Sequence, residues 1–345
     1  MGPPMTTETI LVTGASGFIA KHIILKLLNA GYSVRGTLRT ARRGAEIIAA
    51  VTPHLTNAAN VANLSFAEAD LEQDKGWAEA MAGVAAVMHT ASPFPIAQPK
   101  NADDLIRPAV DGTLRVLRAA QAAGITRVIL TSSSVAIMGG ALPPGKAAFD
   151  EADWSDLARP GSTAYEKSKT LAERAAWEYA QANGMALTTI NPTLVVGPPL
   201  DDHYGSSVSL IARILRGKDP AVPRIGLPVV DVRDVAEAHL RALQTPASIA
   251  QRIIAAEASL WFQEIAQTIK QAYPGRKIAT MNAPVLVLRL LALFDPEIRS
   301  ILPALGQNPL VSNARARTLL GIEFTPARAA ILATAKVLTD SGKFG

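Results

Sequence analysis

Short apolar runs and helical stretches alternate along the first half of this chain. The runs Ile10–Val12, Ser33–Leu38, Leu64–Ala69, Ala85–Thr90, Val128–Thr131 and Ala186–Ile190 are separated by helical segments, with the clearest periodicity in Ile19–Asn29, Asp104–Ala122 and Ala164–Gln181. A strand that returns parallel to its neighbour needs a crossover long enough to hold a helix, so this alternation leads to a parallel sheet. Helices then cover both faces, and the strands read as continuous apolar runs. Gly31, Gly124 and Gly184 each fall just past a helical stretch, where a left-handed residue ends a helix. The expected fold class is α/β, a Rossmann-type doubly wound parallel sheet.

After Asn191-Pro192 the pattern loosens into connections containing Pro198, Pro199, Pro220, Pro223 and Pro228. Here the chain is expected to leave the sheet and build a smaller C-terminal substrate lobe over its carboxyl edge. Asp231-Val232-Arg233-Asp234 opens another helix, and Arg252–Ala255 returns a last strand to the sheet. The expected division is residues 6–191 with about 229–256 in the dinucleotide-binding domain, and 192–228 with 257–345 in the substrate lobe.

Composition narrows the chemistry. With 345 residues, 49% of them hydrophobic and 18% charged, the chain has ample material for a large core. There is no cysteine, so thiolate nucleophiles, disulfides and Cys-ligated metals are excluded. The net charge of +5 is dispersed rather than gathered with aromatics, which argues against nucleic acid as a partner. Ala283 to Phe294 is too short to span a bilayer and carries Arg289, so it is expected to be a buried helix and no membrane partner is expected. Met1-Gly2-Pro3-Pro4-Met5-Thr6 formally fits a myristoylation pattern, but its two prolines favour an added extension before a natural start at Met5. With no signal or transit segment read, the expected location is cytoplasmic.

The turn Gly14-Ala15-Ser16-Gly17-Phe18-Ile19-Ala20 follows the first strand and opens the first helix. Gly14 can take the positive φ of a tight turn, Gly17 lets backbone approach a phosphate, and the helix start offers unpaired N–H groups to negative charge. By itself the turn is equally well a tight connection without a ligand. Tyr165 and Lys169, four apart in a strong helical pattern, project from one face. An ammonium about 4 Å from a phenol, at an effective dielectric near 20, favours the phenolate by roughly 4 kcal/mol, or about three pKa units. Lys169 is therefore expected to bring Tyr165 toward neutral pH, unless the tyrosine merely packs and the lysine is solvated.

Thr131-Ser132-Ser133-Ser134 closes the fifth strand, at the sheet edge where ligands of open parallel sheets collect. A hydroxyl there is able to hold a carbonyl oxygen, but the residues alone leave open which of three serines does so. His22 and His89 lie within apolar elements and read as packed or cofactor-adjacent. No His/Asp/Glu cluster has zinc spacing, so no metal is expected. No Gly-x-Ser-x-Gly elbow is present either.

Thr13-Gly14-x-x-Gly17-x-x-Ala20, the strand-end serines and Tyr165-x-x-x-Lys169 together resemble the extended short-chain dehydrogenase/reductase superfamily. The run from Tyr165 to Trp177, followed by Pro192 to Pro198, resembles its dihydroflavonol 4-reductase, cinnamoyl-CoA reductase and yeast carbonyl reductase branch. The resemblance implies a catalytic set of Ser133, Tyr165 and Lys169, with the tyrosine protonating the substrate oxygen. It further implies cofactor contacts at Gly14, Ser16, Gly17, Phe18 and Ile19, at Asp70 and Leu71 on the adenine side, beneath the cofactor at Thr90, Ala91 and Ser92, at Lys169 on the ribose, and from Pro192 to Val195 at the nicotinamide. Asp70 also reads as a helix cap. Substrate walls are expected at Phe94, Met138 and Leu194 beside Ser133 and Tyr165. Ala20 replaces the usual third glycine, which adds one methyl to a helix-strand contact. Met138 stands where plant flavonoid reductases carry a polar residue, which argues against a flavonoid substrate.

The second strand ends at Arg39, with Arg42 and Arg43 close behind and no acid to hold a ribose 2′-hydroxyl. A guanidinium pairs with a 2′-phosphate, so NADP(H) is the expected cofactor. The expected activity is reversible reduction of ketones or aldehydes to alcohols, with apolar walls suited to bulky, poorly charged carbonyl compounds, by a monomer or homodimer. Epimerase, dehydratase or hydroxysteroid dehydrogenase chemistry on the same scaffold is the enzymatic alternative. A dinucleotide-sensing protein without turnover is the alternative of another class.

Overall fold

The computed structural model describes residues 8–92 and 101–342. The extension at Met1 to Thr6 and the expected substrate contact Phe94 lie outside the described residues. Strands β1 (Thr9–Val12), β2 (Ser33–Leu38), β3 (Leu64–Glu68), β4 (Val84–His89), β5 (Arg127–Thr131), β6 (Ala186–Pro192), β7 (Leu194–Val196), β8 (Gly226–Asp231), β9 (Arg252–Ala255) and β10 (Ala258–Trp261) form two sheets. The larger is parallel throughout, in the order β3-β2-β1-β4-β5-β6-β9. The order reverses between β1 and β4, which opens a crevice beyond their carboxyl ends.

Period-two alternation divides each strand between two cores. Ile10, Val12, Met88, Ile129 and Ile190 pack under the helices Phe18–Asn29 and Val232–Gln244, through Ile23, Leu27 and Val235. Leu11, Val87, Val128, Leu130 and Leu187 face the helices Asp103–Ala122 and Ala164–Ala182, through Val116, Leu117, Ala176 and Ala180. Each large side chain of this kind contributes on the order of 2 kcal/mol by burial. Gly31, Gly124 and Gly184 take positive φ just past three of the helices, and Asp231 caps the helix that it was expected to open, accepting from the Arg233 amide.

The second sheet, in the order β10-β8-β7, carries its own core of Val208, Ile211, Leu215, Val229, Ile265, Ile269, Ile331 and Leu338. Phe18, at the start of the first helix, packs against this cluster and against the main core.

One expectation fails here. Ala283 to Phe294 is not a buried helix: the helix Val285–Leu291 covers Leu288, while Leu286, Leu290, Leu293 and Phe294 are exposed, Phe294 at 86%. The stretch is apolar around most of its circumference, so no polar stripe marks the side that faces water. No helix among the described residues is long and apolar enough to cross a membrane.

Candidate active site

The glycine turn sits at the switch point of the sheet. Gly14 has φ +65°, and a Cβ there would lie 3.0 Å from both Cα and Cβ of Ala91, on the strand end across the crevice. Its amide donates to Thr37 Oγ1 at 3.0 Å. The next helix, Phe18–Asn29, is capped by Gly17 without a side chain and has no acid in its first turn. Its leading amides therefore have no carboxylate competing for them, which fits a pyrophosphate. Thr13 Oγ1 accepts from the amides of Thr90 and Ala91 at 3.1 and 3.0 Å, so its hydroxyl is left to donate to His89 Nδ1 at 2.8 Å. Thr90 Oγ1 in turn donates to the Thr13 carbonyl. Ser16, Phe18, Ile19 and Ser92 are all partly exposed along this edge.

Strand β5 ends at Thr131, so period-two alternation does not continue through the three serines. The three are therefore placed differently. Ser132 Oγ donates to the buried Glu173. Ser133 forms a hydrogen bond with the Tyr165 phenol. Ser134 starts a short 3-10 turn and is buried. Thr163 Oγ1 caps the helix Ala164–Ala182 by accepting from the Glu166 amide at 3.1 Å, and so fixes the turn that carries Tyr165.

Lys169 Nζ stands 5.8 Å from the centre of the Tyr165 ring. Burial brings its pKa down to about 8. The Tyr165 phenol is raised by burial, with the Ser133 hydrogen bond opposing the rise. This corrects the expected lowering by Lys169, because helical spacing shows proximity and hides the desolvation that both groups share.

Other expected residues fall as follows. Arg39 is exposed just past β2, and Arg43 Nε pairs with Glu46 at 3.1 Å. Asp70 Oδ1 accepts from the Glu72 amide at 3.1 Å, an Asx turn rather than a helix cap, and Leu71 faces Gly112. Pro192 ends β6, Val195 is buried in β7, and Leu194 is half-buried there against the second core. Met138 packs against the small cluster of Ile137, Phe149, Ile254 and Ala256 beside β9. No group of three or more His, Asp or Glu side chains able to hold a metal occurs among the described residues.

Several polar contacts at this edge went unread in the sequence. Lys21, in the first turn of the helix after the glycines, is almost wholly buried and ion-pairs with Asp201. His22 Nε2 lies 3.0 Å from the Pro198 carbonyl. These contacts tie the first helix to the segment after β7. The half-buried Arg159 and the buried Glu166 form a second ion pair, next to Tyr165 in the chain, at 2.6 Å. A lysine and a histidine inside an apolar helical pattern were the available signal; their partners lie more than 170 residues away.

Fold and site thus define a dinucleotide-type parallel sheet with a serine, tyrosine and lysine at its carboxyl edge. The chain belongs to the NAD dependent epimerase/dehydratase family, whose model matches residues 10–255. Among relatives it is 32% identical over 341 residues to cinnamoyl-CoA reductase 1 of Petunia hybrida, covering 97% of this chain and 93% of that one. It is 30% identical over 291 residues to a (2S)-flavan-3-ol-forming anthocyanidin reductase of Vitis vinifera, covering 80% and 84%. Among solved structures, the yeast methylglyoxal/isovaleraldehyde reductase Gre2 complexed with NADPH superposes with a TM-score of 0.79 at 27% identity, covering 97% of this chain and 99% of that one.

Proposed function

We propose that this chain is an NADPH-dependent reductase of ketones and aldehydes, able to run in reverse as an alcohol dehydrogenase. One observation carries the reading: the Ser133 hydroxyl is hydrogen-bonded to the Tyr165 phenol, with Lys169 on the same helix face, at the carboxyl edge of the sheet. The reductase names of the relatives and the NADPH in the yeast neighbour support it.

In this reading the turn residues Gly14, Ser16, Gly17, Phe18 and Ile19 hold the pyrophosphate, and Arg39 the 2′-phosphate. Asp70 and Leu71 flank the adenine, Thr90, Ala91 and Ser92 run beneath, and Pro192 and Val195 border the nicotinamide. When bound, the reduced nicotinamide supplies hydride to the carbonyl carbon. Ser133 donates a hydrogen bond to the carbonyl oxygen and so holds it within reach of Tyr165. Tyr165 gives that oxygen its proton; a phenol kept high by burial is protonated at neutral pH, as the reductive direction requires. Lys169, charged below about pH 8, holds the ribose and favours the phenolate left behind. Met138 and Leu194 give the substrate wall an apolar character suited to bulky, uncharged carbonyl compounds. The lobes meeting at this crevice are residues 6–191 with about 229–256, and 192–228 with 257–345.

The test is NADPH depletion, followed by absorbance, across aryl ketones, β-ketoesters, diketones, aldehydes and steroids. Turnover in the parent that Tyr165→Phe abolishes is expected. Redox-neutral conversion of a nucleotide sugar, with no net NADPH loss on any carbonyl, would move the chain to the epimerases. NADPH binding without any Tyr165-dependent turnover would make it a sensor.

A further inference from the structure

The helix that carries Tyr165 and Lys169 carries Glu173 at the same four-residue spacing, and therefore on the same face, one turn further on. Its side chain has no exposure to solvent. Oε2 accepts from Ser132 Oγ and, at 2.7 Å, from Asn191 Nδ2. Oε1 accepts from Arg252 Nε at 2.6 Å and from Trp177 Nε1 at 3.3 Å, with Thr189 Oγ1 also 3.3 Å away. Asn191 Nδ2 is in turn 3.3 Å from the Ser133 carbonyl. Arg252 is held at its other end, donating to the Glu151 and Asp153 carbonyls at 2.9 and 2.6 Å and lying 3.7 Å over the Trp154 ring.

One buried carboxylate therefore joins the helix bearing Tyr165 and Lys169 to the strand end bearing Ser133, and both to β6 and β9. A buried ion pair is a weak source of stability, since apolar side chains of similar volume commonly do as well. What it adds is a fixed distance between the elements that it joins.

We propose that Glu173 is a positioning residue for the Ser133 and Tyr165 pair, an inference that rests on the reductase reading. It acts through Ser132 and Asn191, which anchor the backbone on either side of the Ser133 hydroxyl. A displacement of about 1 Å in such a site costs on the order of 100-fold in rate. Glu173→Gln, which keeps the shape and loses the charge, is expected to lower kcat by about 10- to 100-fold while the NADPH Kd, read by fluorescence titration, stays at the parent value.

The decisive readout is coupling. In a Ser133→Ala background the further loss from Glu173→Gln disappears, because the hydroxyl being positioned is gone. The same fold-loss in both backgrounds, or parental kcat in Glu173→Gln, overturns the inference. If Glu173→Gln does not fold, Ser132→Ala decides by the same comparison, with a kcat loss of about 5- to 10-fold expected only where Ser133 is present. A parent without Tyr165-dependent turnover overturns the reductase reading as well. A parent that turns over, with Glu173→Gln and Ser132→Ala both indifferent, overturns this inference alone.

Discussion

Acid should unfold this protein through three imidazoles that brace the crevice. His89 meets Thr13 Oγ1 at 2.8 Å, His239 lies between Thr131 Oγ1 and the Val235 carbonyl at 2.7 Å each, and His22 meets the Pro198 carbonyl at 3.0 Å. All are buried, and burial lowers their pKa values to about 3 for His89 and about 4 for His22 and His239. Unfolding restores the ordinary value of 6.5. As pH falls below 6.5 the unfolded chain takes up protons that the native state refuses, so stability falls, and it continues to fall until the folded pKa values are reached. At pH 5 each group sits about 1.5 units below its unfolded pKa, a loss of about 2 kcal/mol each and about 6 kcal/mol together. Glu166 and Asp234, pushed up by burial, offset part of this. Against a total of roughly 5–15 kcal/mol, the loss is severe. Urea unfolding followed by tryptophan fluorescence at pH 7.5, 6 and 5 measures it. Near pH 5 the slope approaches about 4 kcal/mol per pH unit, or nearly three protons per unfolding event. His22→Gln, which keeps a neutral donor for Pro198, should remove about a third of that slope. Stability at pH 5 within about 1 kcal/mol of its pH 7.5 value would refute the reasoning.

Other perturbations follow from the same geometry. The kcat/KM for reduction should be level at neutral pH and decline as pH rises through about 8, where buried Lys169 loses its charge; Lys169→Arg should move that decline upward, and an unmoved profile would acquit the lysine. Asp201→Ala leaves the buried Lys21 ammonium without its carboxylate and should cost about 3 kcal/mol by urea unfolding. Lys21→Met, which removes the charge itself, should cost clearly less, and the reverse order would contradict the burial argument. Arg39→Asp should raise the KM for NADPH far more than that for NADH; equal effects would remove Arg39 from the 2′-phosphate.

What was legible in the sequence was what local pattern specifies. The seven strands of the large sheet and the three clearest helices appear in short apolar runs and helical periodicity, because a sheet buried on both faces needs continuous apolar strands. The glycine turn and the tyrosine-lysine spacing were legible for the same reason, each being set within a few residues. The choice among Ser132, Ser133 and Ser134 was not, since it depends on where β5 stops and on which residue each hydroxyl meets: Glu173 for one, Tyr165 for the next. The Tyr165 shift was misjudged because spacing gives a distance along a helix and nothing of the desolvation around it. Glu173 stood in plain view at the next four-residue step, but its worth lies in Arg252 and Asn191, which only the fold brings to it. The exposed helix Val285–Leu291 was misread because an all-round apolar stretch does not say which side is covered.

The central claim is that the Tyr165 phenol delivers a proton to the oxygen of the carbonyl that receives hydride. A single turnover with NADPH deuterated at the transferring position, analysed by mass spectrometry of the alcohol, tests it most directly in parent and Tyr165→Phe proteins shown to bind NADPH equally. The prediction is one deuterium on the carbinol carbon from the parent and none from the variant. Label transferred equally fast without the phenol, or not at all by the parent, would contradict it.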